Sequence, residues 1–193
     1  TETSYECHNS NKDFINNIDE YKDILESLLF EVELKEKGAN NDALLLVKHI
    51  LKNFPRFARQ IEIRHEKRQS IVFNDEYDVQ DALHAILLLH FDNIKREEPI
   101  PHSAGASSCI DFLIREEGIG IEVKMPRKGL QDKKLGGQLA EDKERYKKDK
   151  DCKTLIFFIY DPNHYINNPS EIIQDISGEV YDMRVIVIFS PIL

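Results

Sequence analysis

The expected fold of this chain depends on one stretch, Ser108-Cys109-Ile110-Asp111-Phe112-Leu113-Ile114-Arg115-Glu116-Glu117-Gly118-Ile119-Gly120-Ile121-Glu122-Val123-Lys124. Two apolar segments flank a Glu117-Gly118 pair, which favours a tight β-hairpin. Strand side chains alternate between faces with a period of two. With an even number of loop residues, Asp111 faces Lys124, and both lie on the same face as Glu122. An odd number would put Asp111 on the opposite face.

Two carboxylates and a lysine on one face of a hairpin are costly in a core unless another charge offsets them. Mg²⁺ would do so, because it binds oxygen ligands and is usually held by one or two carboxylates with waters and a substrate phosphate. We expect Asp111, Glu122 and the Val123 carbonyl to hold Mg²⁺, or Mn²⁺ in its place. Lys124 would orient or deprotonate the attacking water, which predicts a phosphodiesterase site. The alternative is an edge hairpin in which Glu122 and Lys124 form a solvated ladder.

Asp111, ten intervening residues and Glu122-Val123-Lys124 resemble the motif of the PD-(D/E)XK nuclease superfamily. Within it, residues 75–191 are most similar to DpnII/MboI-like restriction endonuclease domains of bacterial restriction and phage-defence proteins. Four further segments carry the likeness: Glu76-Tyr77-Asp78-Val79-Gln80, Gly105-Ala106-Ser107-Ser108, Gln138 and Arg145-Tyr146. Ile110 stands where the superfamily has its signature proline.

The resemblance implies a metal-dependent endodeoxyribonuclease that acts on DNA in restriction or phage defence, with Ser108 as a DNA contact. It also implies a homodimer or larger assembly, because double-strand cutting usually needs two sites. A defence-system protein is a further expected partner. Two other classes stay open: a non-catalytic nucleic-acid-binding or scaffolding module with the same fold, and an RNase effector.

A helix predicted over residues 75–91 offers a third carboxylate. Its apolar face contains Val79, Leu83, Ile86 and His90. Extending that face back by one turn reaches Glu76, so we expect Glu76 to be a catalytic residue that binds a second metal or a metal-bound water. The alternative is a glutamate favoured only by the helix dipole, and Asp78 is then the substitute.

A later helix, predicted over residues 135–148, and the loop before it would face the substrate. Gln138, at the margin of the inward face, would hydrogen-bond the attacking water or a base edge; otherwise it is an ordinary boundary residue. The loop contains glycines that allow close approach of a phosphate, and it is basic. Its cations are Arg127, Lys128, Lys133 and Lys134, which would contact DNA or else form a solvated face.

The rest of the sequence predicts an α/β fold, which the resemblance makes a restriction-endonuclease-like mixed β-sheet flanked by helices. Continuous apolar runs at 154–160 and 184–190 are typical of central strands. Amphipathic segments at 12–35, 43–54 and 57–67 predict an N-terminal α-helical region. We therefore expect a helical region over residues 1–70, for dimerisation, sensing or docking, and a nuclease domain over residues 71–193.

Composition excludes several classes of protein. The net charge of −9 excludes a protein that coats DNA by bulk charge, although residues 123–150 contain ten Lys and Arg against five Asp and Glu. The longest apolar runs are too short for a membrane-spanning helix. Three widely spaced cysteines and the lack of a signal-peptide pattern predict a cytoplasmic protein. The chain begins with Thr, so we expect a piece of a longer protein.

Overall fold

The computed structural model describes residues 42–99, 109–147 and 149–191. The chain divides into two compact units, residues 1–45 and 46–193, and only residues 42–45 of the first are described. The predicted helix at 12–35 and Ser108 lie outside the described residues. None of the described helices combines the length and the hydropathy that crossing a membrane requires.

Four helices and six strands follow one another along the described residues. The helices are α1 (Asp42–Glu62), α2 (Glu76–Leu87), α3 (Asp132–Tyr146) and α4 (Pro169–Ile176). The strands are β1 (Ile94–Pro99), β2 (Cys109–Ile114), β3 (Ile119–Lys124), β4 (Thr154–Tyr160), β5 (Gly178–Val180) and β6 (Met183–Ser190).

The six strands form one mixed sheet in the order β1-β2-β3-β4-β6-β5. β1, β2 and β3 are antiparallel neighbours, whereas β3, β4 and β6 run parallel. The short strand β5, which we did not predict, pairs with β6 through the two-residue turn Tyr181-Asp182. The predicted α/β fold, a mixed sheet flanked by helices, is confirmed.

Helices cover both faces of the sheet, because the side chains of the central strands alternate between two apolar layers. Phe157 of β4 belongs to a buried cluster that also contains Leu139 of α3 and Ile172 of α4. The next residue, Phe158, packs on the other face against Phe54 of α1, with ring centroids 5.5 Å apart. Buried layers on both faces explain why β4 is apolar along its whole length.

Helix α1 corrects one sequence prediction. We expected one helix to end at Pro55 and another to follow, but a single helix runs from Asp42 to Glu62. Pro55 cannot donate a hydrogen bond to the carbonyl of Leu51. Phe54 and Ala58 are nevertheless buried, so packing outweighs the lost bond. Part of the predicted helical region thus contributes to the core, and its role in dimerisation, sensing or docking stays a prediction.

Candidate active site

The hairpin of β2 and β3 brings the predicted acids together. Its pairs are Phe112↔Ile121, Leu113↔Gly120 and Ile114↔Ile119. The loop is the four-residue turn 115–118, which ends with Gly118 at φ 62°. Its number of residues is even, so Asp111 lies on the same face as Glu122 and Lys124. Our predicted pairing was nevertheless wrong by two residues, because the 3₁₀ turn lengthens the loop. Extending the observed register places Asp111 opposite Glu122, not opposite Lys124.

The backbone hydrogen bonds between β2 and β3 end at Asp111, where the side-chain carboxylate takes the place of a backbone acceptor. The backbone N–H of Val123 donates to Oδ2 of Asp111 at 2.7 Å. The N–H and the C=O of one strand residue point to the same edge, so the Val123 carbonyl also faces β2. The three groups that we predicted as metal ligands therefore lie at one end of the hairpin.

Lys124 lies among acids from three elements. Its Nζ is 2.6 Å from Oε1 of Glu122 on the same strand. It is 3.7 Å from Oε1 of Glu76 on α2 and 3.9 Å from Oδ2 of Asp142 on α3. The structure thus brings together Asp111, Glu122, Lys124 and Glu76, which were predicted, and Asp142, which was not.

The position of Glu76 follows from the way α2 begins. Asp75 precedes the helix and caps it, since Oδ1 accepts hydrogen bonds from the N–H groups of Tyr77 and Asp78. Glu76 then reaches the residue that follows β3, since its Oε2 accepts from the N–H of Met125 at 3.3 Å. Asp78, the predicted substitute, accepts from the N–H of Asn74 instead. The structure therefore places Glu76, and not Asp78, beside Lys124.

Helix α3 contributes two residues that sequence reasoning did not assign to the site, Asp142 and Tyr146. The Tyr146 hydroxyl lies 2.8 Å from Oε2 of Glu122 and 2.9 Å from the carbonyl oxygen of Cys109. Asp142 also pairs with Arg145 at 3.0 Å. The buried positions of α3 are Leu135, Leu139, Asp142 and Tyr146. Asp142 follows the spacing of three and four residues that marks the inward face of a helix, so its inward position could have been predicted from the sequence.

Gln138 and the cations of the basic loop are exposed, and among the described residues none of them contacts the acids of the cluster or Lys124 through a hydrogen bond or an ion pair. Among these cations are Arg127, Lys128 and Lys133. The loop turns at Gly129, whose φ of 88° favours glycine. The catalytic role of Gln138 and the DNA contacts of the loop stay predictions.

Three acids of the cluster, Asp111, Asp142 and Glu76, hold their protons more strongly than isolated carboxyls do. Burial and the neighbouring Glu122 raise the pKa of Asp111 to about 7, although the Val123 hydrogen bond opposes this. Burial and Glu122 also raise the pKa of Asp142 to about 6, and burial raises the pKa of Glu76. Burial alone would lower the pKa of Lys124, but the carboxylates of Glu122 and Glu76 raise it above its usual value.

Burial is the largest cause of the raised pKa values of the acids, and the Glu122 carboxylate adds to it for Asp111 and Asp142. The cluster also contains four carboxyl groups against the cations Lys124 and Arg145, which is a charge balance that a bound cation would offset. Within residues 42–99, 109–147 and 149–191, no three or more His, Cys, Asp or Glu side chains form a ready-made metal cluster. Mg²⁺ usually needs only one or two protein carboxylates. Asp111 and Glu122, with the carbonyl of Val123, therefore fit the donor set that this ion takes.

Comparison with known families supports this interpretation. A family model described as REase_DpnII-MboI matches residues 45–192, which is more than half of the chain and includes most of α1. No curated protein matches the chain, and no solved structure does. A restriction endonuclease family implies a nuclease whose substrate is DNA. The chain therefore belongs to the DpnII-MboI restriction endonuclease family.

Proposed function

We propose that this protein is a Mg²⁺-dependent endonuclease that hydrolyses phosphodiester bonds of DNA in restriction or phage defence. One observation carries the proposal: Asp111, Glu122 and Lys124 lie together at one end of the β2–β3 hairpin. The excess of buried acid at that end fits a divalent cation, and the family is one of restriction endonucleases.

Each residue of the cluster then has a distinct task. Asp111, Glu122 and the Val123 carbonyl hold the cation, which supplies polarisation of the phosphate and a lower pKa of the attacking water. Lys124, whose ammonium lies 2.6 Å from Glu122, would orient the attacking water. Its ammonium neutralises charge on the phosphate oxygens. Glu76 holds Lys124 from the side of α2.

The loop after β3 is the proposed DNA contact. Arg127 and Lys128 follow Lys124 closely in sequence, and both are exposed, as is Lys133 at the start of α3. Arginine and lysine side chains bind backbone phosphates and position DNA without reading its sequence. Cutting both strands would further require two such sites, which a homodimer supplies.

Incubation of the protein with supercoiled plasmid and with RNA tests the proposal. We expect nicked or linear plasmid with Mg²⁺ or Mn²⁺, none with EDTA, and intact RNA. Linear product formed together with a dimeric mass in light scattering supports the two-site assembly. Cleavage of RNA alone, or metal-independent cleavage, contradicts the proposal.

Two variants assign the activity to the cluster. Glu122→Gln and Lys124→Ala should each lower the cleavage rate at least about 10³-fold, because the first removes the charge of a metal ligand and the second removes a cation at the reacting phosphate. Glu116→Gln is the matched control, since Glu116 is an exposed acid on the turn of the same hairpin. It should cleave at the wild-type rate. Mg²⁺-dependent cleavage retained by both cluster variants would contradict the assignment.

A further inference from the structure

We propose that Tyr146 is a positioning residue that fixes the Glu122 carboxylate for metal binding. This inference rests on the proposed function, since it assigns Glu122 as a ligand. It concerns the oxygen of Glu122 that Lys124 does not contact. The hydroxyl of Tyr146 lies 2.8 Å from that oxygen, Oε2, while the ammonium of Lys124 lies 2.6 Å from Oε1.

Two donors on opposite oxygens prevent the carboxylate from rotating. Glu122 is 5% exposed and Tyr146 is 2% exposed, so water does not compete freely for either group. A hydrogen bond to a carboxylate is stronger than one between neutral groups, and burial strengthens it further. The orientation of Glu122 is therefore set from α3 as well as from β3.

The hydroxyl also connects the two strands of the hairpin. It lies 2.9 Å from the carbonyl oxygen of Cys109 at the start of β2. A phenol has one proton to donate, and the carboxylate is the stronger acceptor of the two. We infer that the proton lies mainly on the Glu122 side. The carbonyl of Cys109 is the alternative acceptor of the same proton.

The two donors on Glu122 differ in how they respond to a cation. The ammonium of Lys124 is repelled when a divalent ion binds the same carboxylate, and Glu76 and Asp142 offer it other partners at 3.7 and 3.9 Å. The phenol is neutral, since a tyrosine hydroxyl keeps its proton at neutral pH. It can therefore stay bonded to Glu122 while the ion is bound, as partners of metal ligands commonly do.

The test is the affinity for Mn²⁺ alone, measured from the electron paramagnetic resonance signal of the free ion, without DNA. Tyr146→Phe removes only the hydroxyl and keeps the buried ring. We expect the Kd for Mn²⁺ to rise about 10- to 100-fold, which is the usual cost of losing a partner of a metal ligand. Unchanged Mn²⁺ affinity in folded Tyr146→Phe protein overturns the proposal.

Tyr160→Phe is the matched control. Tyr160 is a buried tyrosine too, but it packs on the other face of the sheet against Phe54 and Phe73. Its variant should bind Mn²⁺ as the wild type does. An equal loss of affinity in both variants would show a general loss of packing and overturn the role of Tyr146.

Cleavage assays separate this inference from the proposed function. If the wild type binds Mn²⁺ but cuts no DNA, the proposed function fails, and the Kd values still decide the role of Tyr146. A wild type that binds no Mn²⁺ overturns both.

If Tyr146→Phe does not fold, a ring-fluorinated tyrosine at position 146 keeps the hydroxyl and makes it a stronger donor. Its Kd for Mn²⁺ should then differ from that of the wild type, and an equal Kd overturns the proposal.

Discussion

The four acids of the site fall into two pairs that reach it by different routes. Asp111 and Glu122 lie on adjacent strands, and the hairpin register alone brings them to the same end of the sheet. Glu76 and Asp142 lie on helices α2 and α3, and both approach Lys124 from outside the hairpin. The strand pair therefore depends on local structure, whereas the helix pair depends on tertiary packing.

The comparison separates two tasks within one cluster. The strand acids are held by backbone and buried donors, which suits ligands that must not move. The helix acids contact the cluster through Lys124 at longer distances, which suits residues that hold the ammonium. Replacing a strand acid should thus affect metal binding directly, and replacing a helix acid should act through Lys124.

Asp111→Asn should have the largest effect. We expect cleavage to fall at least about 10³-fold, because a ligand charge is lost. The amide oxygen can still accept from the N–H of Val123, and position 111 no longer has a buried charge. The metal-free protein at pH 8 should therefore gain about 1–3 kcal/mol in its free energy of unfolding. Chemical denaturation with EDTA measures this, with Asp175→Asn on the exposed face of α4 as the control. A variant less stable than the wild type would contradict the charge argument.

The pH dependence of stability should show the next largest effect. The folded protein keeps protons on Asp111 and Asp142 up to pKa values of about 7 and about 6, whereas the unfolded chain releases them near 4. The folded state therefore binds more protons than the unfolded state between pH 4 and 7, and stability falls as the pH rises through this range.

With EDTA, this fall should amount to about 2–4 kcal/mol in the free energy of unfolding between pH 5 and 8. Saturating Mg²⁺ should reduce it, since the ion neutralises the ionised acids. Asp111→Asn should show a shallower fall than the wild type. A metal-free wild type that is more stable at pH 8 than at pH 5 would rule out buried, uncompensated acids at this site.

Much of the hairpin could be predicted from the sequence because its rules are local. Period-two alternation places Asp111, Glu122 and Lys124 on one face if the loop has an even number of residues, and the structure has such a loop. The pairing itself was wrong by two residues, because a 3₁₀ turn extends the loop to residues 115–118. Loop length depends on backbone angles at Gly118 that the residue pair Glu117-Gly118 does not specify.

The helices were harder to predict because packing decides them. Pro55 is a strong signal for a helix end, yet α1 continues beyond it because Phe54 is buried against the sheet. Glu76 could be found because it extends a clear apolar face. Asp142 could be placed at the inward face of α3 from its spacing, but that spacing does not show that Lys124 of β3 is its partner.

The smallest expected effects distinguish the two helix acids from each other. Asp142→Asn should lower the rate of cleavage about 10- to 100-fold, and Glu76→Gln by about 10-fold or less. The Asp142 side chain is 13% exposed against 36% for Glu76, so solvent screens its interaction with Lys124 less. Initial rates on a DNA duplex at low and high salt measure both, with Glu141→Gln at an exposed position and Asp78→Asn at a half-buried one as neighbouring controls. A larger loss in Glu76→Gln would mean that Glu76 binds the metal or its water, and not only Lys124.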